Sequence, residues 1–398
     1  MKQPEGFEEM GPDYVCRLQR SIYGLKQAGR VWNQKLHSVL TLIGFKRLES
    51  DRSIYLYVRD GVRIIMPIHV DDLTLASSSQ SAIDQVIKEL AQHFKLRDLG
   101  PTSFLLGIEI VRDRPNHSIF LSQRQYILEM LERFGLTNAN PVSTPMDPGL
   151  RLDATMGATT PEDIATMRSI PYLSAVGGLL YLAMMTRPDI ANAVSILARF
   201  SSNPGIAHWK AVKHLFRYIK GTMDLKLVYR PDNSSELFTS YTDADHGGCK
   251  DTGRSTGGYL IKMGTGAISW RSKLQPVVAL STTEAEYIAA VEAGKEMIWM
   301  RNILSEFGYK FTSPSTLNCD NQSAISVAKN PEHHGWMKHL DLRFYWLRDT
   351  VENGQISLKF IPTAEMPADL LTKPLTRAKV EVCRDMMGLD KCGIRGEC

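Results

Sequence analysis

From Leu237 to about Leu375 the apolar residues change period in an order that few folds accommodate: βββαβαβα. Leu237 to Thr242 reads as a strand. Gly258–Met263 and Ala267–Trp270 read as a hairpin around Gly264-Thr265-Gly266. A long helical run, Thr282 to Phe307, stops at Gly308. A strand at Ser315–Cys319, a short helix at Gln322–Lys329 and a helix at Lys338–Asn353 follow. Ile356, Leu358 and Phe360 alternate as a strand, and a final helix starts near Pro367, a residue suited to a first helical turn. The pattern predicts a mixed sheet with flanking helices.

Four acids fall at the ends of these elements: Asp243, Glu286, Asp320 and Asp369. Glu286 constrains most. Ala289, Ala290, Ala293, Met297, Met300, Leu304 and Phe307 follow it at helical spacing, so it heads the apolar stripe of its helix. A buried carboxylate without a partner is costly or takes up a proton, and a bound cation removes that problem. Glu284 has a simpler reading, as the acid of a capping box with Ser281. Taken singly, Asp320 reads equally well as an N-cap, Asp369 as a helix-dipole partner and Asp243 as a turn residue. Together, in this order, the four point to a metal site.

The segment Tyr241 to Leu375 resembles the ribonuclease H domain of copia-type retrotransposons. The motifs are YTDADHGG, GRSTGGYL, GAISWRSKLQPVVALSTTEAEYIAA, CDNQSAISVAKNP, KHLDLRFYWLRD and PADLLTKPL. The resemblance implies that Asp243, Glu286, Asp320 and Asp369 each ligate metal. It implies two Mg²⁺ (or Mn²⁺) ions per active site, ~3.5–4 Å apart, in hydrolysis of the RNA strand of an RNA–DNA hybrid. The family usually has Trp where this chain has His246, and the segment PEHHGWMKHLD carries His333, His334 and His339 where the family shows one His; these three read as solvated or hydrogen-bonded side chains.

Upstream, Ile54–Val58 and Val62–Val70 alternate around Arg59-Asp60-Gly61, a hairpin signal, and Leu73–Ala76 reads as a further strand. Asp71 and Asp72 then sit in a tight turn. Ser81–Phe94 has helical spacing, and 169–223 reads as helices after a Pro-rich loop, 140–161. QPEGFE, SIYGLKQAGRVWNQKL, the VDD turn, FKLRDLGPTSFLLGIEI, FLSQRQYI and PVSTPM are similar to the copia-type reverse transcriptase. That implies Asp71 and Asp72 as polymerase metal residues. It implies Tyr23, Gly24, Lys26 and Gln27 as the border of an incoming dNTP, and an RNA template with a DNA primer as partners. His69 stands where the family has tyrosine. The family's first polymerase aspartate lies upstream of QPEGFE, so the expectation is a partial palm and thumb with polymerase activity lost. A second reading is an inactive relic that at most binds nucleic acid.

The expected domains are 1–145 (partial reverse transcriptase), 146–235 (helical connection), 236–376 (ribonuclease H-like) and 377–398 (a mobile tail). The fold class is thus α/β and α+β, multidomain. Across 398 residues the net charge is only +4, which announces no nucleic-acid partner by itself. Six scattered cysteines without CxxC spacing argue against zinc and a disulfide framework, and the longest apolar stretch is too short for a bilayer. The expected setting is intracellular: cytoplasmic virus-like particles and the nucleus.

Overall fold

A computed structural model describes residues 1–11, 13–232, 236–329 and 341–391. Two compact units emerge: Met1–Pro101 with Asn302–Lys310, and Thr102–Arg301 with Phe311–Cys398. Among the described residues no helix is long and apolar enough to cross a membrane.

The first unit holds helix α1 (Ala28–Ile43), strands β1 (Lys46–Arg47), β2 (Ile54–Arg59), β3 (Val62–His69), β4 (Asp72–Leu73) and β5 (Ala76–Ser77), and helix α2 (Gln80–Ala91). The β2–β3 hairpin forms as expected. Asp60 and Gly61 both take positive φ, as a two-residue turn of this hand requires. The single strand expected over Leu73–Ala76 is instead split. β4 pairs with the end of β3 and β5 with its middle, so the chain bends between them. Leu40, Ile64, Met66 and Leu90 close a small core.

The second unit begins with β6 (Phe104–Leu105), β7 (Ile108–Asp113), β8 (Ser118–Ser122) and α3 (Arg124–Arg133). Helices α4 (Pro161–Arg168), α5 (Tyr172–Met185), α6 (Ala191–Ala198) and α7 (Ile206–Gly221) follow, then β9 (Lys226–Tyr229). Next come β10 (Thr239–Ala244), β11 (Thr256–Met263), β12 (Gly266–Leu274), α8 (Thr282–Glu306), β13 (Ser315–Cys319), α9 (Gln322–Lys329), α10 (Asp341–Glu352) and β14 (Ile356–Phe360). The unit ends with α11 (Arg377–Met386) and β15 (Leu389–Asp390).

One sheet runs β12-β11-β10-β13-β14, antiparallel through β10 and parallel from β10 to β14. This is the mixed ribonuclease H-like sheet that the βββαβαβα pattern predicts. The other runs β15-β9-β8-β7-β6, all antiparallel.

Two expectations at the C-terminal end are corrected. The helix expected from Pro367 is a five-residue 3₁₀ turn, Pro367–Leu371, because Pro374 bars its continuation. The residues expected to be an unpatterned tail form α11 and β15. Val380, Cys383 and Met387 are buried, and Leu389 pairs with Leu227. Their apolar stripe is narrow and interrupted by charges, so its period is weak in sequence.

The boundaries expected at 145 and 235 do not coincide with breaks in packing. One hydrophobic core joins Leu182, Val194 and Leu215 of the helices to Leu260, Leu370, Leu371 and Val380. Within it, Arg187 and Asp189 form a bidentate ion pair at 2.9 and 2.7 Å, completed by the Tyr218 hydroxyl donating to Asp189 at 2.7 Å. Breaking such a buried pair from one side costs on the order of 3–5 kcal/mol.

Candidate metal centre

The sheet order brings the acids together. β10 and β13 are parallel neighbours, with Ser240 opposite Leu317 and Tyr241 opposite Asn318. Carrying that register two residues further sets Asp243 opposite Asp320, at the same end of adjacent strands. Asp369 arrives on the 3₁₀ turn, and carboxylate oxygens of Asp243, Asp320 and Asp369 lie within 4.8 Å of one another. Glu286, in the first turns of α8, has an oxygen within 4.8 Å of Asp320 and of the Cys319 sulfur. Glu286 is buried and Ala289, Ala290, Ala293 and Met297 continue its face inward, as the sequence implies. Glu284 takes its capping role. The Ser281 hydroxyl accepts from its N–H at 3.1 Å, and its carboxylate accepts from the Leu280 N–H at 2.8 Å.

The 3₁₀ turn reaches the strands because β11 carries a glycine where they meet. Gly258 pairs with Asp243 across the sheet, and a Cβ there would stand 2.7 Å from Leu371 Cβ and 3.0 Å from Thr372 Cγ2. Gly258→Ala is therefore expected to push the turn outward, costing ~1–3 kcal/mol by overpacking. Thermal unfolding checks the stability, and the separation of Asp369 from Asp243 in a crystal of the variant checks the displacement.

Sequence reasoning missed the residues that follow Asp369. The Thr372 hydroxyl donates to Asp243 Oδ2. Lys373 Nζ lies 2.8 Å from Asp369 Oδ1 and 3.7 Å from Asp243 Oδ2, and Lys379 Nζ lies 3.9 Å from Asp369 Oδ2. Lys373 stands four residues after Asp369, a spacing that places them on one face; that was the available signal. Asn192 of α6 donates to the Leu371 carbonyl at 3.2 Å and so ties the turn to the helices.

Burial pushes the Asp243 carboxyl up to about 6, with Lys373 pulling it down and Asp369 pushing it up. Glu286 is pushed up to about 10, first by burial and then by Asp243 and Asp320, and its Oε2 has no hydrogen-bond partner. The same acids drive Lys373 above its ordinary value, against its own desolvation. Burial lifts the Cys319 thiol to about 12, so the donors offered are carboxylate oxygens. That set suits a hard divalent cation such as Mg²⁺ or Mn²⁺. A bound cation would also satisfy the orphaned Glu286 oxygen.

These shifts set a pH dependence. Unfolded, Glu286 releases its proton near 4.5 and Asp243 near 3.8; folded, they hold it to about 10 and about 6. The folded form thus binds extra protons in between, and stability falls as pH rises across that interval. Melting in EDTA is expected to drop from about pH 5 to about pH 9, and Mg²⁺ is expected to restore it most at the alkaline end.

The acids of the first unit are arranged differently. Asp71 and Asp72 are exposed in the two-residue turn Val70-Asp71 and at the start of β4. Val70 takes φ 58°, an unusual state for a β-branched residue, while Trp32 Nε1 donates to its carbonyl at 2.8 Å. Such an outlier costs ~1–3 kcal/mol and is concentrated at functional turns. Tyr23, Gly24, Lys26 and Gln27 form an exposed loop leading into α1. Among the described residues, groups of three potential ligands occur only around Asp243, Glu286, Asp320 and Asp369. His333, His334 and His339 lie outside the described residues.

Residues 1–148 match the family model of reverse transcriptase (RNA-dependent DNA polymerase). The chain is 44% identical, over 98% of its length, to a retrovirus-related Pol polyprotein from transposon TNT 1-94 of Nicotiana tabacum, and spans 29% of that relative. It is 36% identical over 75% of its length to a putative transposon Ty5-1 protein of Saccharomyces cerevisiae, 94% of which it covers. A solved ribonuclease H1 in complex with RNA/DNA hybrid aligns over 34% of the chain and 93% of its own, at 18% identity and TM-score 0.25.

Proposed function

Because the chain belongs to the copia-type Pol polyproteins of transposons, we propose that its acid cluster cuts the RNA strand of RNA–DNA hybrids with two divalent ions. The observation that carries this is the convergence of Asp243, Asp320 and Asp369 within 4.8 Å beside the buried, half-satisfied Glu286. The four carboxylates would hold the ions. Such ions supply Lewis acidity, activating water and stabilising the leaving oxygen. Thr372 fixes the Asp243 carboxylate through its hydroxyl, and Lys373 offsets the negative charge of Asp243 and Asp369. Discrimination of RNA from DNA would rest on 2′-hydroxyl contacts and duplex shape.

The test is a hybrid with either strand labelled. Mg²⁺- or Mn²⁺-dependent cleavage of the RNA strand is expected, with none in EDTA and none of duplex DNA. A protein that binds the hybrid without ever cutting it favours the second reading, a relic that only binds nucleic acid.

Polymerisation by these 398 residues alone is not part of the proposal. A two-metal polymerase centre needs more carboxylates than the exposed Asp71 and Asp72 bring together among the described residues. Primer extension on an RNA template with dNTPs is expected to yield no product. Cytoplasmic virus-like particles and the nucleus are the compartments in which a hybrid-cutting Pol segment would act.

A further inference from the structure

We propose that a cavity beside the acid cluster seats a backbone phosphate of the hybrid next to the one being cut. This rests on the ribonuclease reading, since it names how that site holds its substrate. The cavity has a volume of about 340 Å³ and shares Thr372 and Lys373 with the acid cluster. Its other cationic side chains are Arg199, immediately after α6, Arg151 from the loop after α3, and Lys250 from the loop between β10 and β11.

Cations outnumber carboxylates along its wall, although Lys373 is already paired with Asp369 and Asp243. Four cations line the cavity with two carboxylates, Asp245 and Asp251. Asp245 accepts the Thr256 N–H at 2.5 Å and Asp251 accepts the Ala154 N–H at 2.9 Å, so each carboxylate is committed to backbone. Lys250 has a half-exposed pairing to Asp153 at 3.5 Å. Arg199 donates to Thr256 Oγ1 at 3.1 Å, while its Nε is buried without a hydrogen-bond partner. Arg151 donates through Nη1 to the Pro148 and Leu150 carbonyls at 2.8 and 3.3 Å. The Arg199 guanidinium, flanked by Arg151 and Lys250, matches the several acceptor oxygens of a phosphodiester. Leu152, Ile196 and Phe200 supply an apolar floor on which the attached sugar can rest.

Position identifies the phosphate. A strand whose scissile group lies against Asp243 and Asp369 must pass its neighbouring phosphates along the wall that Thr372 and Lys373 share. Arg199 and Arg151 belong to the segment before β9, so residues outside the ribonuclease H-like sheet would contribute to its substrate grip.

The experiment measures hybrid affinity by fluorescence anisotropy in EDTA, where the duplex stays intact, for the parent, Lys250→Gln, Arg151→Gln and Arg199→Gln. Loss of a charge-assisted contact is expected to weaken binding about tenfold and to lower the salt slope by about one. Arg199→Lys and Lys250→Arg should recover part of the loss, and equal melting temperatures separate binding from folding. In a second arm, single methylphosphonates are stepped along the RNA strand and then the DNA strand. One position is expected to weaken the parent about tenfold yet leave Lys250→Gln no weaker. The strand that shows it supplies the phosphate. Parent-like affinity in all three variants, or strict additivity at every position, overturns the proposal. Cleavage without this signature leaves the ribonuclease reading standing and removes the seat; the signature without cleavage does the reverse.

Discussion

Glu286→Gln is expected to abolish hybrid cleavage while leaving the metal-free protein as stable as its parent at neutral pH. The carboxyl holds its proton to about 10, so at neutral pH without divalent ions it is already an uncharged group. Glutamine replaces it with a neutral group of the same shape, and the melting temperature in EDTA should move by less than ~1 kcal/mol equivalent. Function is another matter. An amide cannot become the anionic ligand that draws a cation into the cluster, and losing such electrostatic stabilisation costs about a thousandfold or more in rate. The Mg²⁺-dependent rise in melting temperature should shrink with it, because that rise measures binding to the folded state. Asp243→Asn should lose cleavage equally. Melting with and without Mg²⁺, beside single-turnover cleavage, checks both halves. Cleavage within about tenfold of the parent would remove Glu286 from the site.

Residues 236–376, the ribonuclease H-like segment suggested by sequence, are not expected to fold when expressed alone. Leu260, Leu370 and Leu371 pack into the same core as Leu182, Val194 and Leu215 on one side and Val380 and Met387 on the other. The backbone is shared as well. The Thr265 N–H donates to the Arg230 carbonyl at 3.1 Å, the Ala267 N–H to the Met387 carbonyl at 3.0 Å, and Trp270 Nε1 to the Ala183 carbonyl at 2.7 Å. Each large apolar side chain stripped of its partners forfeits ~1.5–3 kcal/mol. A handful equals the whole stability of an ordinary domain, about 5–15 kcal/mol. The longer piece 102–398 is expected to unfold cooperatively, and 236–376 to show no cooperative transition by circular dichroism. A sharp, two-state melt of the short piece would show that the helices and the C-terminal residues are dispensable to the fold.

What was legible in sequence follows how local each signal is. The Asp60-Gly61 turn declares itself because both residues take positive φ. Glu286 was legible because a carboxylate heading an apolar stripe is a contradiction that a cation resolves, and Asp320 because it directly follows the fourth strand of the pattern, Ser315–Cys319. The resemblance implies one centre for the four acids, and the register of β10 on β13 independently brings two of them, Asp243 and Asp320, to the same end of the sheet. The missed features are relations between distant residues. Gly258 reads as an ordinary strand glycine until Leu371 and Thr372 are seen against it. Lys373 reads as a surface lysine until Asp369 and Asp243 are seen beside it. The last helix and strand read as a loose tail in sequence because their partners, β9 and the start of β12, lie more than a hundred residues upstream. The Pro-rich loop near 145 and the change of period near 235 mark a change of element, and one hydrophobic core runs across both.

Crystals soaked in Mn²⁺ and measured at the manganese edge put the cation cage to the most direct test. Anomalous peaks are expected between Asp243, Glu286, Asp320 and Asp369, with Glu286 turned into the coordination sphere. Full manganese occupancy elsewhere with nothing at these four side chains, and Lys373 and Lys379 still the groups that neutralise Asp369 and Asp243, would contradict it.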